Sequence, residues 1–465
     1  MNDSTAAPGQ DALSPTFSLR RRTVLQGAAW SVPAITMMAV TPAYAASGDR
    51  LSFTQVPSSS AACQATSGKL VVHLDSSSSN VGQLVQFTLP SGWSWTNGSG
   101  SYVTDSNGDA TVPAGDIVVG NRVGTVTASA SGQAASADME VLAAGTIVDA
   151  YSSAPSAGDF IRLYNNGTGL VAARSNGDVW ARYGNGGWAL QGSGGATGAG
   201  QMTTVENAAR ALWIKNGVLE LGSDRQPDIS SSDNVDFVGV IALGSYAVAV
   251  KSNGDVWRGD GTNPWSQVGT GASTGASQIA VLSGQARTTG FWIVGGAIWS
   301  EAGAESVGNG QNAGFVRVYA AGGAGNSSPY RDGAVCAITS NGDVWKWIST
   351  TGWTQVGSGA QTGIEQGGAF ARNFNGSNVG VMWLSGGVLQ KSDERPALSA
   401  QDNSNFHRLS NWNGSVTISK RDGQQVYIYN SPYFYSRTVD VGTSPGQMAY
   451  NGGSGAPIYI KPASC

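Results

Sequence analysis

One hexapeptide, Ser-Asn-Gly-Asp-Val-Trp, occurs three times, beginning at Ser175, Ser252 and Ser340, and each time a second tryptophan follows eight residues after the first. Asn-Gly between runs of alternating small and branched residues is the strongest short-range signal for a β-hairpin, because both residues tolerate a positive φ angle. Similar glycine turns recur about every 40 residues. A strand–turn–strand unit with this period is typical of β-propeller blades. The turn glycines are Gly177, Gly217, Gly254, Gly296, Gly342, Gly387 and Gly423.

The repeat alternates between two kinds of unit. The second kind has one aromatic strand and a glycine turn, at Trp213, Trp292 and Trp383, and lacks the second tryptophan motif. A last unit begins near the C-terminus and stops at its turn. We expect residues 146–159 to complete it with a strand, which would remove an exposed sheet edge. This count predicts eight blades over residues 146–465. Seven blades is the alternative, because repeats whose motif has diverged are easily miscounted.

The composition favours an all-β protein. Charged residues form 12% of the chain, about half the usual quarter, and its 66 glycines are about twice the usual share. No stretch outside the N-terminal leader shows helical periodicity.

The N-terminus resembles an export signal. Arg21-Arg22 opens a twin-arginine pattern, an uncharged stretch follows, and Ala43-Tyr44-Ala45 is a small-x-small cleavage site. We therefore expect residues 1–45 to be a twin-arginine signal peptide and no membrane span to remain after its removal. Removal lowers Lys+Arg from 26 to 23 and Asp+Glu from 30 to 28, so the mature net charge is −5. This charge disfavours nucleic acid as a partner.

Residues 48–142 have a different pattern, with short alternating strands separated by Gly, Asn and Ser turns. The segment Val103-Thr-Asp-Ser-Asn-Gly-Asp-Ala-Thr-Val-Pro, followed by Gly124-Thr-Val-Thr-Ala-Ser, resembles bacterial immunoglobulin-like domains of invasin type. The resemblance implies a β-sandwich of about a hundred residues, with a spacer or adhesin-like role.

The repeat region also has a family resemblance. Asn253-Gly-Asp-Val-Trp followed by Trp265-Ser-Gln-Val-Gly is similar to the tectonin-type repeat and, more loosely, to regulator of chromosome condensation repeats. Tectonin-like propellers include glycan-binding lectins, so the resemblance implies a binding role.

The candidate ligand residues are the second tryptophans, which follow polar loops. Aromatic faces stack on sugars, and several equal sites would raise avidity. We expect these indoles to be partly exposed; packing between blades is the alternative reading. The residues are Trp188, Trp265 and Trp353, with Tyr435 in a fourth, eroded copy.

No catalytic, cofactor or metal residue is assigned. His73 is expected on the surface and His407 as a hydrogen-bonded structural histidine. The recurrent Asp178, Asp255 and Asp343 are expected to serve hairpin turns, because they lie too far apart to share one cation.

Three functions remain open. We favour a secreted or cell-wall-associated, monomeric binding protein, with the propeller as head for a glycan, a cell-wall polymer or a surface protein. The alternatives are a secreted hydrolase or lyase acting on polysaccharide, and a structural scaffold.

The chain has three cysteines, and export permits disulfides. Cys336 is expected to be a buried free thiol in a blade strand. If the propeller closes as described, Cys465 ends at the domain junction, within reach of Cys63. We therefore predict a Cys63–Cys465 disulfide.

Overall fold

The structure is a computed structural model that describes residues 50–465 apart from several short segments. The predicted signal peptide, residues 1–45, lies outside the described residues. The segments left out are 58–59, 77–78, 97–98, 140, 150–154, 156–157, 166–168, 185, 206–209, 223–226, 260–262, 284–287, 323–332, 373–377, 393–397, 413–414, 431–432, 440, 442–446, 452–455 and 464.

The first part of the chain is a two-sheet β-sandwich. One sheet has the order β1-β3-β7 and the other β10-β9-β4-β6, with two small pairs, β11-β2 and β5-β8. The strands are β1 (Arg50–Gln55), β2 (Ser60–Ala61), β3 (Leu70–Asp75), β4 (Leu84–Thr88), β5 (Ser94–Trp95), β6 (Ser101–Val103), β7 (Asp109–Val112), β8 (Ile117–Val118), β9 (Gly124–Ala130), β10 (Gln133–Met139) and β11 (Val141–Leu142).

Alternation along these strands builds the sandwich core. In β9, Val126, Ala128 and Ala130 are buried while Thr127 and Ser129 between them are exposed, because successive side chains point to opposite faces of a strand. The buried set meets Val72 and Leu74 of the facing sheet in one apolar cluster.

The second part of the chain folds into antiparallel sheets that follow the repeat. The strands are β12 (Gly145–Val148), β13 (Phe160–Asn165), β14 (Gly169–Arg174), β15 (Val179–Tyr183), β16 (Ala189–Gly192), β17 (Met202–Val205), β18 (Arg210–Lys215), β19 (Val218–Leu221), β20 (Phe237–Leu243), β21 (Tyr246–Lys251), β22 (Val256–Gly259), β23 (Ser266–Gly269), β24 (Ile279–Ser283), β25 (Thr288–Val294), β26 (Ala297–Ser300), β27 (Gly303–Ala304), β28 (Phe315–Ala321), β29 (Ala334–Thr339), β30 (Val344–Ile348), β31 (Gly352–Gly357), β32 (Gly367–Arg372), β33 (Asn378–Ser385), β34 (Val388–Lys391), β35 (Phe406–Trp412), β36 (Ser415–Lys420), β37 (Gln425–Asn430), β38 (Tyr433–Thr438), β39 (Met448–Asn451) and β40 (Ala456–Pro462); a 3₁₀ turn spans Gly308–Gly310.

We number the repeat units by their strands. Units 1 to 7 are β13–β16, β17–β19, β20–β23, β24–β27, β28–β31, β32–β34 and β35–β38, and unit 8 combines β39 and β40 with β12. The first strands β13, β17, β20, β24, β28, β32, β35 and β39 contact one another in that order, and β39 also contacts β13. The sheets therefore close into a propeller-like ring with the first strands innermost.

The two ends of the repeat region meet in unit 8. Strand β12 pairs antiparallel with β40, from Gly145 opposite Pro462 to Val148 opposite Tyr459. This confirms that the segment after residue 145 completes the C-terminal unit. Strand β40 lies between β12 and β39, and β12 lies between β13 and β40, so neither β12 nor β40 is an open edge.

The hexapeptides form hairpin turns, as predicted. In the second copy, Gly254 has a φ angle of +87°, and the Asp255 N–H donates to Asn253 Oδ1 over 3.0 Å. The same Asn–Asp bond occurs at Asn176 and Asn341. The aspartates therefore stabilise turns, the role predicted for them.

Contacts between units explain why the two kinds of unit differ. The glycine that ends each Trp-x-x-x-Gly motif lies beneath the tryptophan of the following even unit. A Cβ atom on Gly192 would lie 2.6 Å from the Trp213 ring, and one on Gly269 or Gly357 would overlap the rings of Trp292 or Trp383. Units 1, 3 and 5 thus each supply a notch for one tryptophan of the unit that follows.

The sandwich is fastened to the ring next to the closure. Cys63 and Cys465 form a disulfide, which is the pairing that the sequence predicted, and Cys336 is a buried free thiol. Arg421 forms an ion pair with Asp138 over 2.7 Å. Arg421 stands where the other odd units have the hexapeptide serine, so the eroded copy is a docking point for the sandwich. Among the described residues, no helix has the length and apolar character needed to cross a membrane.

Candidate ligand site

Trp353, one of the predicted ligand residues, is a core residue. Its side chain is only 6% exposed and packs against Phe291 and Phe315, with ring centroids 6.3 and 6.4 Å away. Its indole N–H donates to Glu305 Oε2 over 3.3 Å. The expectation of a partly exposed indole is therefore wrong at Trp353, because the ring packs in an apolar cluster formed by units 4 and 5.

Trp188 and Trp265 are half-buried, as expected, but they also contact the preceding unit. The Trp188 indole donates to Asp149, 3.3 Å away, beside β12. The Trp265 backbone N–H donates to the Asp228 carbonyl over 2.7 Å. The side chain of Tyr435 lies outside the described residues. Ligand binding at Trp188, Trp265 and Tyr435 stays a prediction, while the observed contacts join neighbouring units.

A cavity of about 180 Å³ lies where the innermost strands converge. Its wall is formed by β13, β17, β20, β24, β28 and β35 and by the turns that precede units 2, 4 and 6. Apolar side chains such as Met202, Ile241 and Val281 supply most of the surface. The polar groups include Tyr164 and Glu365, so the cavity combines an apolar wall with a few convergent polar groups, which is typical of small-molecule sites.

The turns at the cavity are a repeat of their own, with the pattern Thr-Gly-x-x-Gln. The glutamine Oε1 accepts the glycine N–H in each copy, over 2.7 Å at Gln201, 2.8 Å at Gln278 and 3.2 Å at Gln366. The residue before each glutamine has a positive φ angle, which Gly200 adopts freely but Glu365, at +57°, does not. Sequence reasoning did not assign this motif to the site, although its recurrence is visible in the chain.

Two tyrosines on odd units line the cavity. Tyr164 OH accepts the Gly200 N–H over 3.1 Å, and Tyr319 OH donates to the Gly363 carbonyl over 3.4 Å. Burial raises the pKa of both phenols. Both are therefore neutral at physiological pH and present fixed hydroxyl groups next to an aromatic face.

Neither His73 nor His407 is among the described residues that line this cavity. His73 is partly exposed and bonds Asp109 over 2.9 Å, consistent with its predicted surface position. His407 is 3% exposed, and neither ring nitrogen has a hydrogen-bond partner among the described residues. The expectation of a hydrogen-bonded His407 is therefore wrong, because the side chain occupies a position that is aliphatic in the other odd units. The described residues contain no group of three potential metal ligands.

The chain resembles known proteins in structure but not in sequence. No family model matches the chain, and no curated protein matches it. Among solved structures it is similar to the computationally designed Ika8 protein (10% identity, TM-score 0.40, covering 68% of this chain and 96% of that one). It is also similar to Saccharomyces cerevisiae Sqt1 (12% identity, TM-score 0.39, covering 66% of this chain and 91% of that one). A third similar structure is BamB from Moraxella catarrhalis (13% identity, TM-score 0.39, covering 62% of this chain and 90% of that one). The fold assignment rests on the strand topology of this chain itself.

Proposed function

We propose that the protein is an exported binding protein and that its ligand occupies the central cavity of an eight-bladed propeller. Residues 1–45 act as a twin-arginine signal peptide, and residues 48–142 form an immunoglobulin-like spacer. The observation that carries the proposal is the cavity, whose apolar wall is interrupted by Tyr164, Tyr319 and Glu365.

The cavity is a better site than the outer tryptophans. Trp353 is enclosed by phenylalanines, and Trp188 and Trp265 are anchored to the preceding unit. The volume of about 180 Å³ is below the ~300–1,000 Å³ of pockets for drug-sized ligands. It therefore suits one small group, such as a single sugar ring at the end of a glycan, whose apolar face stacks on a tyrosine.

Binding fits the polar groups better than glycoside hydrolysis does. Most glycoside hydrolases use two carboxyl groups that flank the scissile bond. Among the described residues that line the cavity, Glu365 is the only carboxylate. The tyrosine hydroxyls are held by backbone groups of the turns, an arrangement that orients a ligand.

Export is supported by the disulfide. Structural disulfides persist in oxidising compartments and are rare where thiols are kept reduced. The Cys63–Cys465 bridge joins the sandwich to the last residue of the chain, and so it also holds the spacer beside the closed ring.

A glycan array with the purified protein tests this proposal. Ile241→Trp should abolish binding, because Ile241 lines the cavity and the larger ring would fill it. Trp265→Ala is the matched control and should bind normally. If Trp265→Ala loses binding and Ile241→Trp does not, the ligand binds at the rim. If the array gives no signal, the binding proposal is wrong, and release of product from a bound glycan would favour the hydrolase or lyase alternative.

A further inference from the structure

The packing surface between units 7 and 8, which we call the 7/8 joint, contains two hydroxyl groups. Thr417 of β36 pairs with Ile428 of β37, and Ser419 pairs with Val426. Ile428 and Val426 pack in an apolar cluster with Met448 of unit 8. Since directly opposite residues of an antiparallel pair lie on the same face of the sheet, Thr417 and Ser419 also face unit 8.

The corresponding joints after units 1, 3 and 5 are apolar. There the residues equivalent to Thr417 and Ser419 pack in clusters that include a tryptophan of the following unit. These equivalent residues are Val171 and Ala173, Val248 and Val250, and Cys336 and Ile338. The 7/8 joint therefore departs from the other three in the chemistry of its side chains.

The polar groups at the 7/8 joint are buried without partners. Thr417 and Ser419 are 0% and 1% exposed, and neither side-chain oxygen has a hydrogen-bond partner among the described residues. His407, in the neighbouring strand β35, is buried in the same condition. Burial of a polar group without a hydrogen bond costs free energy, whereas burial of apolar surface is favourable. The side chains of units 7 and 8 therefore stabilise their joint less than those of the other three pairs do.

The sandwich contacts both sides of the 7/8 joint. On the side of unit 7, Arg421 Nη1 donates to Asp138 Oδ2 over 2.7 Å and to Thr125 Oγ1 over 3.3 Å. On the side of unit 8, Asn121 Nδ2 donates over 2.8 Å to the carbonyl of Ala463, which directly follows β40. Two neighbouring units are thus bonded to one and the same domain.

One short segment of the sandwich reaches both units. Asn121, which bonds the end of unit 8, is followed by Arg122. Arg122 Nη1 lies 2.6 Å from the position of a Cβ atom added to Gly423, in the hairpin turn of unit 7. The Cys63–Cys465 disulfide adds a covalent link on the side of unit 8. Loss of these contacts would leave the 7/8 joint to its own side chains.

We propose that the sandwich is a clamp, which holds units 7 and 8 together across the joint that their own side chains stabilise least. This role goes beyond that of a spacer and does not depend on what the cavity binds. It also bears on the cavity, because Ser410, which lies opposite Thr417, is one of the residues that line it. The clamp therefore keeps that part of the cavity wall in place.

Thiol labelling of the full chain tests the clamp. Thr417→Cys places a thiol at the position that Cys336 occupies in unit 5, so Cys336 is a matched control within the same molecule. Arg421→Met, Cys63→Ser and Cys465→Ser together remove the clamp. Its removal should make the Thr417→Cys thiol react at least roughly tenfold faster with a maleimide, because labelling follows the population of the open form. The rate at Cys336 should not change.

A second measurement tests whether the clamp acts through the 7/8 joint. Thr417→Val with Ser419→Val gives unit 7 the two valines that unit 3 has at these positions. In that background, removal of the clamp should lower the Tm by less than it does in the unmodified chain, because coupled sites do not contribute additively.

Three results would overturn the proposal. They are an unchanged labelling rate of the Thr417→Cys thiol after removal of the clamp, an equal acceleration at Cys336, and an undiminished loss of Tm in the valine background. If the variant without the clamp does not fold, Arg421→Met alone, with the disulfide intact, replaces it in both measurements, and the same three results decide.

Discussion

Replacing Gly192 by alanine should disturb the contact between units 1 and 2. The added Cβ would lie 2.6 Å from Trp213 Cζ2 and 2.8 Å from Cη2, whereas carbon atoms in favourable contact are about 3.5–4.0 Å apart. The ring or the strand must therefore move by about 1 Å. Trp213 is buried and cannot turn into solvent. Overpacking of this kind costs roughly 1–3 kcal/mol.

A double-mutant cycle tests the cause of this loss. Trp213→Phe removes the ring atoms that the new methyl group would strike. It destabilises on its own by leaving a cavity. Gly192→Ala should then cost less in the Trp213→Phe background, with a coupling of about 0.5–3 kcal/mol.

Urea unfolding followed by tryptophan fluorescence would measure the four free energies of unfolding. Gly187→Ala is the matched control on the same hairpin, because no heavy atom of the described residues, its two chain neighbours apart, lies within 4 Å of its added Cβ. This control should change stability by no more than about 0.5 kcal/mol. Two results would refute the inference that Gly192 makes room for the Trp213 ring. One is an equal loss of unfolding free energy from Gly192→Ala and Gly187→Ala, and the other is additive effects of Gly192→Ala and Trp213→Phe in the cycle.

Three further predictions concern single residues. Trp353→Ala should cost about 3–5 kcal/mol, the range for a buried large aromatic, and Trp265→Ala should cost less because its ring is half-buried; equal losses in urea unfolding would contradict this. Thiol titration of the denatured, unreduced protein should find one thiol, Cys336, and reduction should lower stability by about 2–5 kcal/mol; a count of three thiols excludes the disulfide. Burial, followed by the charges of nearby arginines, lowers the pKa of His407 well below its usual value, so the folded protein keeps the ring neutral while the unfolded chain takes up a proton below about pH 6.5. Stability should therefore fall as pH drops below that value, by at most about 1.4 kcal/mol per pH unit from this group, and His407→Val should reduce the slope in a pH series of unfolding experiments.

Local patterns predicted a large part of the fold. The Asn-Gly turns could be located because their φ angles depend on two neighbouring residues. The spacing of these turns indicated a ring of similar units, and the unfinished unit at the C-terminus indicated that β12 would complete it. The Cys63–Cys465 pairing followed from that closure, because it brings the chain end to the domain junction.

The candidate site was less accessible to sequence reasoning. Trp353 and Trp265 have the same motif, yet one is buried and the other half-buried, because their surroundings come from different preceding units. The Thr-Gly-x-x-Gln turns were visible as a pattern, but their place at the cavity depends on how first strands from distant units converge. The sequence predicted that His407 would be hydrogen-bonded, but its ring has no hydrogen-bond partner among the described residues.

The sequence by itself determined the features that arise within one unit: where the strands alternate, where the hairpins turn, and how often the unit recurs. Only the tertiary structure decided which side chains meet between units. The notch of Gly192 beneath Trp213 and the packing of Trp353 against Phe291 join residues from different repeats. Their contacts depend on the curvature of the closed ring, and strand periodicity, which describes neighbours along the chain, contains no information about that curvature.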